Sequence, residues 1–61
     1  MFAERLKVLR AEKGLTQVEL ADMLGVSKGT VGMWETGKRM PSFETLDEMT
    51  RIFDRRMDYI L

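Results

Sequence analysis

The chain has 61 residues, no cysteine, no histidine and a formal net charge of zero at neutral pH. This length predicts one domain, residues 1–61, which buries only about 60% of the surface that its unfolded form exposes. Without cysteine or histidine there is no disulfide, no thiol or histidine catalyst and no usual set of zinc ligands, so we expect no enzyme, metal site or cofactor. No apolar run approaches the roughly 18 residues of a membrane span and no signal-peptide pattern follows Met1, which favours a cytoplasmic protein.

The charge is unevenly distributed along the chain. Residues 1–39 carry seven Lys and Arg against five Asp and Glu, whereas residues 40–61 carry three against five. The overall balance and the pI of about 6.2 do not favour nucleic-acid binding, which usually requires a basic surplus. The distribution matters more than the sum, because the basic part contains the pair of short helices described below.

The first predicted element is an amphipathic helix over residues 2–13. Phe2, Leu6 and Leu9 recur at helical spacing, with charged residues at most of the other positions. Lys13 is a cation in the last turn, and the glycine that follows is suited to ending the helix. Arg10 lies beside the apolar stripe, so its charge needs a partner.

The second predicted helix is short and runs from about Gln17 to Leu24. Thr16 and Glu19 have the spacing of a capping box, in which each side chain accepts a hydrogen bond from the backbone N–H of the other residue. Gly25 supplies a left-handed residue that ends a helix without steric strain at Cβ.

A third helix follows after a turn of about three residues. Ser27 is a suitable N-cap, Val31 and Trp34 form an apolar pair, and Gly37 marks the stop. Two helices joined by so short a turn are typical of a helix-turn-helix, in which the second helix is presented to the major groove of DNA.

The last third of the chain predicts a fourth helix over residues 43–53. Ser42 is its N-cap, Asp54 occupies the stop position, and the apolar stripe includes Phe43, Leu46, Met49 and Phe53. The segment 57–61 is compatible with either a last helical turn or a short strand.

These features together resemble a known family, the lambda-repressor-like or Cro/Xre helix-turn-helix proteins of phages and bacteria. The matching elements are Leu6-x-x-Leu9-Arg10, Gly14-Leu15-Thr16-Gln17-x-Glu19-Leu20-Ala21, Gly25-Val26-Ser27, Trp34-Glu35-x-Gly37, Pro41-Ser42-x-x-x-Leu46 and Met57-Asp58-Tyr59-Ile60-Leu61. The resemblance implies an all-α, compact bundle of four or five helices with the second and third as the DNA-reading pair. It also implies double-stranded DNA as partner and a homodimer on a two-fold-symmetric operator.

Helical geometry places one set of residues on the outer side of the third helix. At 100° per residue, Val31 and Trp34 face the core, whereas the outer face includes Lys28, Gly29, Gly32 and Met33. In the resembling family the first residues of this face read base edges. Lys28 is suited to guanine O6 and N7 or to a phosphate, and Met33 to a thymine methyl or to a protein contact.

The two glycines depart from the polar residues usual in the family, and they allow two interpretations. Gly29 and Gly32 either bring the helix backbone unusually close to the groove or leave direct readout weak, so that DNA shape contributes more of the specificity.

A second set of residues is predicted to contact phosphates. Gln17 opens the second helix, whose N-terminus suits an anion, and in the resembling family a glutamine here clamps a phosphate. The other candidates are Ser27, Thr36, Lys38 and Arg39. The two cations that follow the third helix are equally compatible with a solvated loop.

The remaining assignments are structural or concern assembly. Arg10 and Glu35 resemble the family's interhelical ion pair, and removal of either partner would leave a charge unpaired at a cost on the order of 3 kcal/mol. The apolar end of the chain indicates a dimer contact, or a cut where a further domain was removed, and consists of Met57, Tyr59, Ile60 and Leu61.

The sequence therefore predicts a sequence-specific DNA-binding transcriptional regulator, a repressor that acts as a dimer in the cytoplasm, on the nucleoid. The alternative is a protein-interaction module on the same fold, such as the antitoxin of a toxin–antitoxin pair. Exposed Met33 and the apolar end would then be the contact surface, and the balanced charge fits this alternative better.

Overall fold

The computed structural model describes residues 1–61 and contains only α-helices. They are α1 (Phe2–Glu12), α2 (Gln17–Leu24), α3 (Lys28–Glu35), α4 (Phe43–Phe53) and α5 (Met57–Ile60). The predicted all-α fold and its helix order are confirmed, and α1 ends one residue before the predicted residue 13. The segment compatible with a helical turn or a strand forms the helix α5.

One apolar core holds the five helices together. Its twelve buried side chains are Phe2, Leu6, Leu9, Leu20, Ala21, Leu24, Val31, Trp34, Leu46, Met49, Phe53 and Ile60. Each helix is too short to be stable alone in water. Burial of each large apolar side chain contributes about 1.5–3 kcal/mol, so the shared core is what stabilises the helices.

Capping residues fix the two ends of α2 and the start of α3. Thr16 Oγ1 accepts from the Glu19 N–H at 3.1 Å and Glu19 Oε1 accepts from the Thr16 N–H at 2.8 Å, which is the predicted capping box. Gly25 has φ +69°, a left-handed conformation that strains residues with a Cβ. Ser27 then caps α3 by accepting from the Thr30 N–H at 3.1 Å.

The helix α4 begins and ends at the predicted residues. Ser42 Oγ accepts from the Thr45 N–H at 3.2 Å. Asp54 ends the helix with φ 54°, a left-handed conformation that aspartate adopts more readily than most residues.

The prediction for Phe43 is wrong, because its side chain is 74% exposed rather than part of the core. At 100° per residue, Phe43 lies about 90° away from the direction shared by Leu46, Met49 and Phe53. The first turn of α4 therefore presents an aromatic ring to solvent.

The packing of the helices determines which surface of α3 stays open. The helix α3 contacts α1 and α2, and α5 contacts α1 and α4. Val31 and Trp34 face inward from α3, as predicted. The opposite side of α3 remains on the molecular surface.

Candidate nucleic-acid interface

The outer face of α3 carries the four residues predicted to face bases. Lys28 and Gly29 are exposed, and Gly32 and Met33 are half-buried. Lys28 has no acidic side chain within salt-bridge distance. This face is therefore accessible, with one free cation at its N-terminal end and a thioether further along.

Neither glycine of this face is required by the packing of the chain. A Cβ built on Gly29 would lie 3.8 Å from Ser27 Oγ, an ordinary contact, and one built on Gly32 would meet nothing within 4 Å. Both residues also have ordinary helical φ angles. The fold thus accepts alanine at both positions, and the glycines leave the α3 backbone uncovered.

The residues at the two ends of α3 include most of the predicted phosphate ligands. Thr36, Lys38 and Arg39 are exposed after the helix, and neither cation forms a salt bridge. Thr36 Oγ1 donates to the Met33 carbonyl at 3.3 Å. The Ser27 hydroxyl lies at the N-cap, where it is also 2.9 Å from Thr30 Oγ1.

The sequence segment that contains α3 is positively charged although the whole chain is neutral. Residues 23–43 contain three cations and one acid, Glu35. That carboxylate is 4% exposed and pairs with Arg10, so it does not compensate the exposed cations. The three uncompensated charges are those of Lys28, Lys38 and Arg39.

The N-terminus of α2 presents free backbone donors beside this surface. The capping box occupies the N–H groups of Thr16 and Glu19, whereas those of Gln17 and Val18 have no acceptor within the chain. Unpaired N–H groups and the helix dipole favour an anion at such a position.

The predicted ion pair between Arg10 and Glu35 is present and bidentate. Arg10 Nε donates to Glu35 Oε2 at 2.7 Å, and Arg10 Nη2 donates to Oε1 at 3.1 Å. Arg10 Nη1 also donates to the Leu15 carbonyl at 2.9 Å. The pair thereby links α1, the turn before α2 and the end of α3.

Sequence reasoning missed that Gln17 belongs to the same network. Gln17 Nε2 donates to Glu35 Oε1 at 2.9 Å. Burial alone would raise the pKa of Glu35, but the hydrogen bonds from Arg10 and Gln17, with the charges of Arg10 and Lys7, hold that pKa below its ordinary value. The hydrogen bond from Arg10 to Glu35 in turn raises the pKa of Arg10.

Of the four residues at the end of the chain that were predicted to form a dimer contact, the structure buries some and exposes others. The prediction is wrong for Ile60, which is 0% exposed and completes the core, and Met57 is partly buried against that core. A helical turn places one side of α5 on α1 and α4, which sequence alone did not establish. Tyr59 and Leu61 remain exposed, at 43% and 52%.

Tyr59 is held by two arginines that sequence reasoning did not associate with it. The guanidinium of Arg5 lies 4.4 Å and that of Arg55 5.6 Å from the centroid of the Tyr59 ring. Arg5 also donates to the Tyr59 carbonyl, and Arg55 pairs with Glu12 at 3.3 Å. These contacts fasten α5 to α1.

The structure holds neither a candidate metal centre nor a membrane-spanning helix. No group of three or more Asp and Glu side chains is arranged to hold a metal ion. None of the helices has both the length and the apolar character needed to cross a lipid bilayer.

The geometry agrees with comparisons to known proteins. The helix-turn-helix family model matches residues 6–60, so the chain belongs to the helix-turn-helix family of the Cro/C1 type. The HTH-type transcriptional regulator YqaE of Bacillus subtilis strain 168 is 41% identical over 61 residues, which are 100% of this chain and 53% of that protein. This chain thus spans about half the length of that relative.

Solved structures show the same fold. A transcriptional regulator from Listeria innocua superposes with a TM-score of 0.95 at 31% identity, over 100% of this chain and 57% of that one. The P22 c2 repressor, in complex with a synthetic operator, superposes with a TM-score of 0.92 at 28% identity, over 100% of this chain and 92% of that one.

Proposed function

We propose that this chain is the DNA-binding part of a transcriptional regulator, a repressor that binds double-stranded DNA with α3 in the major groove. The observation that supports this most directly is the presence of three exposed, unpaired cations at the start of α3 and after its end. The repressor in the operator complex has the same fold over the whole of this chain.

The roles of the individual residues follow from their positions. Lys28, Gly29, Gly32 and Met33 face the bases, since they form the accessible side of α3. The ligands for the DNA backbone are Gln17, Ser27, Thr36, Lys38 and Arg39, which lie at the ends of the two helices. Contacts of this second kind position a protein on DNA, whereas contacts with base edges specify the sequence.

We also propose that the chain acts as a homodimer, in the cytoplasm and on the nucleoid. Few phosphates can be neutralised by one neutral chain, so a single copy would bind DNA weakly. Two copies on a two-fold-symmetric operator gain affinity, because the second half-site is bound at high effective concentration. Tyr59 and Leu61 are the exposed residues that supply the contact.

The two cations that follow α3 provide a test of the proposed DNA binding. We expect Lys38→Gln/Arg39→Gln to weaken binding to duplex DNA and to reduce the salt dependence of the binding constant by about 0.9 for each phosphate that the variant no longer neutralises. Fluorescence anisotropy over a series of salt concentrations measures both quantities.

Arg51→Gln/Arg56→Gln is the matched control, since it removes the same charge from exposed residues on α4 and before α5. If both double variants reduce the salt dependence equally, binding is non-specific and not centred on α3. If neither changes it, the rival function as an interaction module for a protein partner, such as a toxin, is favoured.

A further inference from the structure

The side chain of Gln17 forms a hydrogen bond within the chain. Its Nε2 atom donates to Glu35 Oε1 at 2.9 Å, and Glu35 is fixed on its other side by the bidentate contact from Arg10. Both Gln17 and Arg10 are partly buried. The amide is therefore held by a buried carboxylate that cannot itself move freely.

The hydrogen bond to Glu35 leaves donors of Gln17 available for another group. The second hydrogen on Nε2 has no acceptor within the chain, and neither has the backbone N–H of Gln17 or of Val18. All these donors belong to the first turn of α2. A phosphate oxygen at this point would meet a side-chain donor and a helix N-terminus together.

We propose that Glu35 is a positioning residue for DNA binding, which holds the Gln17 amide in the orientation that binds a phosphate. This inference rests on the proposed function and adds a role to an ion pair that sequence analysis assigned to structure alone. A free glutamine would lose rotamer freedom when the phosphate binds, whereas an amide already ordered by Glu35 loses less.

The same contact joins the two functional helices. Glu35 is the last residue of α3, and Gln17 is the first residue of α2. The hydrogen bond between them fixes where the phosphate ligand lies relative to the face that reads bases. A displaced amide would consequently disturb the register of α3 in the groove.

A double-mutant cycle separates this positioning role from a structural one. Arg10→Met/Glu35→Leu replaces the ion pair by apolar side chains, a change that often preserves folding. Gln17→Ala removes the proposed ligand, and the combined triple variant closes the cycle. Glu35→Asp, which withdraws the carboxylate but keeps its charge, serves as a second variant in case the replaced pair does not fold.

The readout is the affinity for duplex DNA at a temperature where circular dichroism shows each variant folded. We expect Gln17→Ala and Arg10→Met/Glu35→Leu each to weaken binding about tenfold, as for the loss of one hydrogen bond to a charged group. The triple variant should bind no more weakly than Gln17→Ala, because Glu35 acts through Gln17.

Other outcomes overturn the inference in distinguishable ways. If replacement of the ion pair leaves affinity unchanged, or weakens binding by the same factor with and without Gln17, Glu35 does not position the amide. If Gln17→Ala binds like the wild type, there is no phosphate contact to position, although the other ligands can still bind DNA. Absence of binding by the wild type overturns the proposed function as well.

Discussion

Glu35 is the residue at which polar contacts from three helices meet. It is the charged residue buried most deeply, yet its oxygens accept from Arg10 Nε, Arg10 Nη2 and Gln17 Nε2. A buried carboxylate without such partners would be strongly destabilising. With them, it connects α1, α2 and α3 at a single point.

Because the folded state lowers the pKa of Glu35, the domain should lose stability in acid. The contribution of this carboxylate is fully present above its unfolded pKa of about 4.5 and is lost as the pH falls through the lower folded value. Urea unfolding between pH 7 and pH 3 measures this loss. Arg10→Met/Glu35→Leu lacks the titrating group and should show a weaker acid dependence.

The surface pair of Asp47 and Arg51 provides the control for this prediction. The side chain of Arg51 is 75% exposed and that of Asp47 46%, so their ion pair should contribute little to stability. Asp47→Asn should therefore keep the acid dependence of the wild type. An equal acid dependence in the chain without Glu35 would show that other carboxylates determine it.

At the residue scale, the sequence predicted which charged residues form an ion pair better than it predicted how side chains are oriented. Arg10 beside an apolar stripe required an acid, and the resemblance indicated Glu35. The hydrogen bond from Gln17 to Glu35 joins residues 18 positions apart. It depends on the torsion angles of the two side chains, which sequence spacing does not determine. The only feature of the sequence that pointed to this hydrogen bond is that Gln17 and Glu35 both lie at ends of the paired helices.

The helix α3 has an unusual composition for a surface that reads DNA. Two of its eight residues are glycines with ordinary helical angles and with room for a Cβ. Each lowers helix stability by roughly 0.5–1 kcal/mol relative to alanine. The benefit we propose is a close approach of the α3 backbone to the floor of the groove.

This proposal predicts opposite effects on stability and on binding. Gly29→Ala/Gly32→Ala should stabilise the fold by roughly 1–2 kcal/mol, the sum of two glycine-to-alanine changes in a helix. The added methyl groups should weaken DNA binding, because they hold the backbone away from the bases. Thermal unfolding and fluorescence anisotropy on the same preparations measure the two effects.

Val8→Ala is a useful companion variant, since Val8 is exposed on α1, outside the α2–α3 helix pair. It should leave DNA affinity unchanged. If the double alanine variant is more stable but binds DNA as tightly as the wild type, the close-approach interpretation is wrong. The remaining interpretation is that the shape of the DNA supplies the specificity.

At the element scale, sequence predicted the helices where capping residues mark their ends. Thr16, Ser27 and Ser42 each accept the expected backbone hydrogen bond, and Asp54 ends α4 as expected. The sequence does not determine the form of α5, because Arg56 has no side chain suited to capping and makes no cap hydrogen bond. The contacts of α5 with α1 and α4 determine that this segment is helical.

At the scale of the whole molecule, the charge pattern reconciles neutrality with DNA binding. Elsewhere acids compensate cations through the pair of Arg51 with Asp47 within α4 and the pair of Arg55, which follows α4, with Glu12 of α1. Between residues 23 and 43 the only acid is the buried Glu35. A neutral chain can therefore present one positive surface, because the residues outside 23–43 carry seven Lys and Arg against nine Asp and Glu.

The dimer contact is the feature that the sequence determines least. The apolar end predicts one dimer contact, but Ile60 completes the core of a small domain and leaves Tyr59 and Leu61 outside. Sequence could not separate these residues, because a helix and a strand would expose different members of the segment. The dimer contact that we propose, by Tyr59 and Leu61, is correspondingly smaller.

Selection of binding sites from a random duplex DNA library by the purified chain, at low and near-physiological salt, tests the central claim most directly. We expect enrichment of a two-fold-symmetric sequence with half-sites about one helical turn apart. Enrichment would establish sequence-specific recognition and the dimer together. If the folded chain enriches no sequence at either salt concentration, the claim that α3 reads DNA is contradicted.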